Sequence, residues 1–145
     1  MFEALPDIPR LFTALAEWGA ALVYVFVVAR SASSNALNPN AAIPRWRLAA
    51  AAGGGLAVLA GAQELLGRAP LPLWVPGMMT AYALVWCVIR VGTALDWRWV
   101  THMSARAFIV AELAASLAWQ VVVYSHADKP FWHPASLLVY TAISA

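Results

Sequence analysis

The sequence predicts an all-α polytopic transmembrane helix bundle, with four full spans and the start of a fifth, and three observations carry that prediction. Of its 145 residues 63% are hydrophobic and 11% are charged, against roughly 45–50% and about 25% in soluble domains. The mean hydropathy of +0.71 is too high to be hidden inside so small a globule, whose surface is large for its volume. The apolar residues also gather into runs close to the ~20 residues that cross about 30 Å of hydrocarbon. Low charge without a disordered composition, and a single cysteine, Cys87, exclude a disordered chain and a disulfide-stapled module.

The elements follow in order as one transmembrane domain over residues 1–145. Glu3 and Asp7 precede the first base, Arg10, the reverse of a signal-peptide start, so the first apolar run, Leu11 to Ala29, is expected to stay as a span. Arg30 to Asn40 is rich in Ser, Asn and Pro, residues that compete with helical hydrogen bonding, and reads as an exposed loop. The second span is Leu48 to Leu66. Pro70, Pro72 and Pro76 punctuate the next connection and the first turn of the third span, Leu73 to Val91, where a missing amide proton costs little. The fourth span is Ala107 to Tyr124. A last apolar run, Pro134 to Ala145, reaches only about 18 Å. It is expected either to begin a fifth span of a longer chain or to form a half-inserted helix.

Arginine counts orient the bundle. With the N-terminus outside, Arg30, Arg45, Arg47, Arg90, Arg98 and Arg106 face the cytoplasm, and Arg10, Arg68 and Lys129 face outward, as the positive-inside rule requires. Trp46, Trp74, Trp97, Trp99 and Trp132 fall near span ends, where amphipathic rings belong. The nine basic residues are scattered singly or in pairs, which speaks against nucleic acid as a partner. The expected surroundings are a bacterial cytoplasmic membrane, the bacterial assignment resting only on the association of Arg- and Ala-rich chains with GC-rich genomes.

Ionisable groups inside hydrocarbon cost roughly 2.5–3.5 kcal/mol each and need a reason. Glu17, Gln63, Glu64 and Gln120 fall toward the outer side of their spans and are expected to meet in one polar cluster or ligand pocket. Glu112 sits nearest the midplane and shares a helical face with Ser116, Trp119 and Gln120, the face expected to look into the bundle. Tyr24 and Tyr82 are the two candidate partners for its carboxyl. The plainer reading of all five polar residues is interhelical hydrogen bonding that lines nothing. Glu64 with Arg68, four residues on, equally reads as a surface ion pair.

Ala49, Gly53, Ala57 and Gly61 form a small-residue stripe on the second span, expected to pack a neighbouring helix or, less expectedly, a second copy of the chain. Tyr82, Trp86 and Arg90 share a face of the third span, read as core filling and a snorkelling arginine. His102 is placed in the inner loop and His126 and His133 in the outer one, a spacing that matches no zinc motif. No phosphate loop, nucleophile–base pair or metalloprotease motif occurs in the sequence, so no catalytic residue, metal or cofactor is expected.

Two stretches, Leu5 to Trp18 (Leu-Pro-Asp-Ile-Pro-Arg-Leu-Phe-Thr-Ala-Leu-Ala-Glu-Trp) and Arg106 to Gln120 (Arg-Ala-Phe-Ile-Val-Ala-Glu-Leu-Ala-Ala-Ser-Leu-Ala-Trp-Gln), resemble the membrane-embedded N-terminal region of actinobacterial GHKL-type sensor histidine kinases. The resemblance implies a signal-input domain followed, after the last span, by a cytoplasmic phosphotransfer segment and an ATP-binding domain, none of whose residues fall in this chain. The expected function is therefore membrane sensing of an extracellular or membrane-soluble ligand. A small transporter using intramembrane carboxylates, and a ligand-free scaffold, are the alternatives. The expected partners are the lipid bilayer, that ligand and a second copy of the chain.

Overall fold

The computed structural model describes residues 10–34, 43–68 and 70–125. Everything regular among them is helical. Helix α1 is Arg10–Ser34. Helix α2, Arg45–Ala49, runs through a π-helical segment, Ala50–Gly54, into α3, Gly55–Gly67, so the three form one continuous rod. Helix α4 is Trp74–Thr93, entered through a 3₁₀ turn at Leu71–Leu73, and α5 is Trp97–Ser125. Three of the four rods, Arg10–Ala32, Arg45–Leu66 and Trp74–Thr93, are long and apolar enough to cross a membrane. The fourth, α5, carries Arg98, His102, Arg106 and Glu112 along its length and is not among them. The expected fifth run, 134–145, and the outer loop with His126 and His133 lie outside the described residues.

Two expected boundaries move, each for a local reason. The stretch from Arg30 to Ser34 continues α1 and is not loop; the Ser31 hydroxyl donates to Val27 O at 2.8 Å, so this serine binds the preceding turn without breaking it. The fourth helix begins at Trp97, ten residues before the expected start, so His102 and Arg106 are helical and the third connection shrinks to Ala94, Leu95 and Asp96. That turn is made by Ala94 in the left-handed region, φ 56°. Its amide donates to Arg90 O at 3.4 Å, and Thr93 Oγ1, itself donating to Ile89 O at 2.7 Å, accepts from the Leu95 amide at 3.5 Å.

Helix α1 packs against every other rod, most extensively against α5 and α3, and α4 also touches both of those. The core is correspondingly built mostly from alanines and β-branched residues: Ala14, Ala21 and Val25 on α1, Ala51 with the larger Leu59 on the second rod, Val85 and Ile89 on α4, Val100 and Ala107 on α5. Small side chains let the backbones approach, which is how helices associate where lipid removes the hydrophobic incentive. Gly92 shows the closeness: a Cβ there would sit 2.7 Å from both methyl carbons of Val25 and 3.2 Å from Ala51.

The expected packing stripe on the second rod is corrected. Ala49, Gly53, Ala57 and Gly61 are all exposed, and a Cβ at Gly53 or Gly61 would meet nothing within 4 Å. The buried line is Ala51, Gly55, Leu59 and Gln63. The π-helical segment, Ala50–Gly54, ends on the first two of three consecutive glycines, 53 to 55, and the Gly55 amide reaches back five residues to Ala50 O, a widening of the helix by one residue.

Candidate functional site

The polar centre of the bundle is assembled by three helices. Glu17 lies on the face of α1 that also buries Ala14, Ala21 and Val25, and it is fully buried itself. Gln63 ends the buried stripe of the second rod, and its Nε2 donates to Glu17 Oε1 at 2.8 Å across the α1–α3 interface. On the opposite side of α1, the Glu112 side chain of α5 interacts with that of Glu17. Glu17 thus stands between a neutral amide and a second carboxyl. Because α1 lies between α3 and α5, a single acidic position on it can contact both neighbours.

Hydrogen-bond accounting singles out the carboxyl pair. Glu17 Oε2 and Glu112 Oε1 are both buried and receive no hydrogen from any donor among the described residues. Buried polar atoms are normally satisfied, and two ionised carboxylates are acceptors only. A proton on the pair would turn one acceptor-only carboxylate into a donor to the other, and a small cation could serve acceptor oxygens by coordination. Arg10, two turns before Glu17 on α1, lies close enough to Glu112 for its charge to act on that carboxyl. Thr13, between Arg10 and Glu17 on α1, is also buried.

The five residues expected to cluster are therefore divided. Glu17, Gln63 and Glu112 come together; Glu64 and Gln120 do not. Glu64 is exposed and pairs with Arg68 at 3.9 Å on the same helix, the plain surface pair its spacing allowed. Gln120 and Ser116 are exposed as well. Helix α5 turns its alanines inward instead: Ala107, Ala111, Ala115 and Ala118 are buried, and Glu112 reaches the centre from the edge of that face. Neither tyrosine candidate is the partner seen for Glu112. Tyr82 donates to Thr101 O at 3.4 Å and packs edge-on against Phe108 with ring centres 5.8 Å apart. Trp86 Nε1 donates to Thr101 Oγ1 at 3.1 Å, so the Tyr82–Trp86 face joins α4 to α5.

Trp18 is the neighbour that sequence reasoning missed. Its Nε1 donates to Ala52 O at 2.8 Å, inside the π-helical segment. Widening a helix by one residue upsets its regular carbonyl pairing, and in hydrocarbon a stranded carbonyl costs several kcal/mol; an indole N–H, donor only, suits the need. The clue in the sequence was the glycine run at 53 to 55, which marks a place where the backbone departs from ideal helix. Glu17 and its successor Trp18 thus anchor α1 to the second rod through two different bonds, one to a side chain and one to the backbone.

No family model, curated protein or solved structure matches the chain.

Proposed function

We propose that the chain is the membrane-embedded input domain of a bacterial sensor, and that its stimulus is the occupancy of the Glu17–Glu112 pair by a proton or a small cation. One observation carries the reading: two carboxyls from different helices act on each other, and each has a buried oxygen that no donor among the described residues serves. Filling that position ties α1 to α5, and emptying it leaves two negative charges in a medium that penalises them. Occupancy thereby changes the free energy of the α1–α5 interface, which is what an input domain must do to its stimulus. The resemblance to sensor kinases adds support, since the two stretches that carry it include Glu17 and Glu112. In this reading α5 crosses the bilayer with the other three rods, the N-terminus is outside, and the arginine-rich end faces the cytoplasm.

Infrared difference spectroscopy on the protein in liposomes tests it, recorded across a pH titration and then with added Na⁺ or K⁺. A protonated buried carboxyl band, or its displacement by one of the cations, is expected in the wild type and should vanish in both Glu17→Gln and Glu112→Gln. A pH-sensitive dye inside the same liposomes separates the second reading. Proton flux lost in Glu112→Gln would make the pair a transport site, and a titrating band without flux is the sensor's signature. A spectrum unchanged by both substitutions would overturn the proposal.

A further inference from the structure

A second feature lies away from the carboxyl pair and does not depend on it. On the outer surface of the bundle, Ala50, Gly54 and Val58 of the second rod and Leu84, Cys87 and Val91 of α4 line an open groove of about 230 Å³, almost wholly apolar. Its depth along the rod, from Ala50 to Val58, is about 12 Å at 1.5 Å per residue, close to the ~15 Å that one leaflet contributes to a hydrocarbon core of about 30 Å. The volume is below the ~300–1,000 Å³ of pockets that enclose a compact small molecule. A narrow, one-leaflet groove has the proportions of a single acyl chain.

What closes one end of the groove decides its occupant. Arg47, one turn before Ala50, stretches across to α4, where its Nε donates to Val91 O at 2.8 Å and its Nη2 to Arg90 O at 3.3 Å. Its guanidinium is therefore held beside Val91, a groove residue, next to the exposed Trp46 ring 5.9 Å away. Two of the five guanidinium N–H donors are committed in these bonds, and the fork geometry suits phosphate oxygens. The alternating direction of the rods also brings the Arg30 end of α1, the Arg45 and Arg47 end of α2, the Arg90 end of α4 and the Arg98 end of α5 to the same end of the bundle. An anionic headgroup is favoured there by the local charge.

We propose that this groove binds one anionic phospholipid, with an acyl chain between the second rod and α4 and the headgroup phosphate on Arg47. The test is native mass spectrometry of the full chain released from nanodiscs of equal phosphatidylglycerol and phosphatidylcholine. The wild type is expected to retain one lipid per chain with about a fivefold preference for the anionic one, the effect of roughly one well-placed arginine. Arg47→Gln should lose the preference and Arg47→Lys keep it. Gly54→Phe fills the groove from a position where a Cβ meets nothing, so it should fold and lose the bound lipid of either kind.

Cys87 supplies a second reading, because it lines the groove and is exposed. A membrane-permeant maleimide should label it more slowly in phosphatidylglycerol than in phosphatidylcholine nanodiscs. Equal retention of both lipids by the wild type, or unchanged lipid binding in Gly54→Phe, overturns the proposal. A spectrum dominated by dimers that Gly54→Phe dissolves, with no lipid adduct, would assign the groove to a second copy of the chain instead.

Discussion

The second rod carries two stripes with the same four-residue spacing and opposite fates. Ala49, Gly53, Ala57 and Gly61 look outward; Ala51, Gly55, Leu59 and Gln63 look inward. Small size alone would have favoured the first, which has nothing larger than alanine. In hydrocarbon an apolar face gains little by leaving lipid for protein, so bulk hydrophobicity does not choose between them. The polar end of the inner stripe does. Gln63 needs a partner, finds it in Glu17 at 2.8 Å, and brings with it the three residues spaced four, eight and twelve positions before it. Close approach then favours glycine at 55, since a Cβ there would meet Val88 at 3.0 and 3.2 Å and Trp18 at 3.6 Å.

The largest expected effect comes where the inner stripe is pressed hardest from another helix. Gly92→Ala would put a methyl group 2.7 Å from both Val25 methyl carbons and 3.2 Å from Ala51. Two methyl groups on a stiff β-branched side chain cannot both retreat, so α4 must move away from α1 and the second rod together. Overpacking of this kind destabilises by about 1–3 kcal/mol. Unfolding by sodium dodecyl sulfate in mixed micelles, followed by circular dichroism, should show the loss, and an unchanged midpoint would mean that the rods do not approach so closely.

Next comes the bond that fixes the rod where its two stripes diverge. Trp18→Phe keeps most of the ring and removes the N–H that serves Ala52 O at 2.8 Å. Ala52 O then loses its indole donor, and a loss of about 1–2 kcal/mol is expected, in the range for removing one partner of a buried hydrogen bond. The comparison sharpens if amide hydrogen exchange is read at the same time. Faster exchange confined to residues 50 to 55 would show that Trp18 holds the widened turn in place, whereas uniform acceleration would make it an ordinary packing residue.

How much of this was legible before folding depends on the kind of signal. The helical rods were readable as long runs, and three of them are apolar enough for their length to be matched to a bilayer. The early start of α5 was hidden because Trp97, Arg98, Trp99 and His102 look like an interfacial loop in composition, although Asp96, whose carbonyl accepts from the Val100 amide at 3.1 Å, opens a regular helix there. The carboxyls at 17 and 112 stood out on cost alone. Their pairing did not, because it depends on which face of α5 turns inward, and Ala107, Ala111, Ala115 and Ala118 carry no polar mark. Glu112, Ser116 and Gln120 seemed to define that face by polarity, yet the structure packs the alanine face and leaves two of the three polar residues outside.

The smallest effect is the most direct test of the comparison itself. Gly53→Ala, Gly55→Ala and Gly61→Ala make the same chemical change on one rod, and all three exchange glycine for a better helix former, a gain of up to about 1 kcal/mol in an exposed helix interior. At Gly53 and Gly61 nothing lies within 4 Å of the new methyl, so that gain should appear undiminished and the unfolding midpoint should rise slightly. At Gly55 the Val88 side chain has to give way, and a clash costing about 1 kcal/mol or more offsets or reverses it. The informative quantity is the difference between inner and outer positions, because the propensity term is common to all three and cancels. Equal midpoints across the series would mean that both stripes face the same surroundings. A loss at Gly53 or Gly61 larger than at Gly55 would mean that the outer stripe is packed against another helix in the membrane.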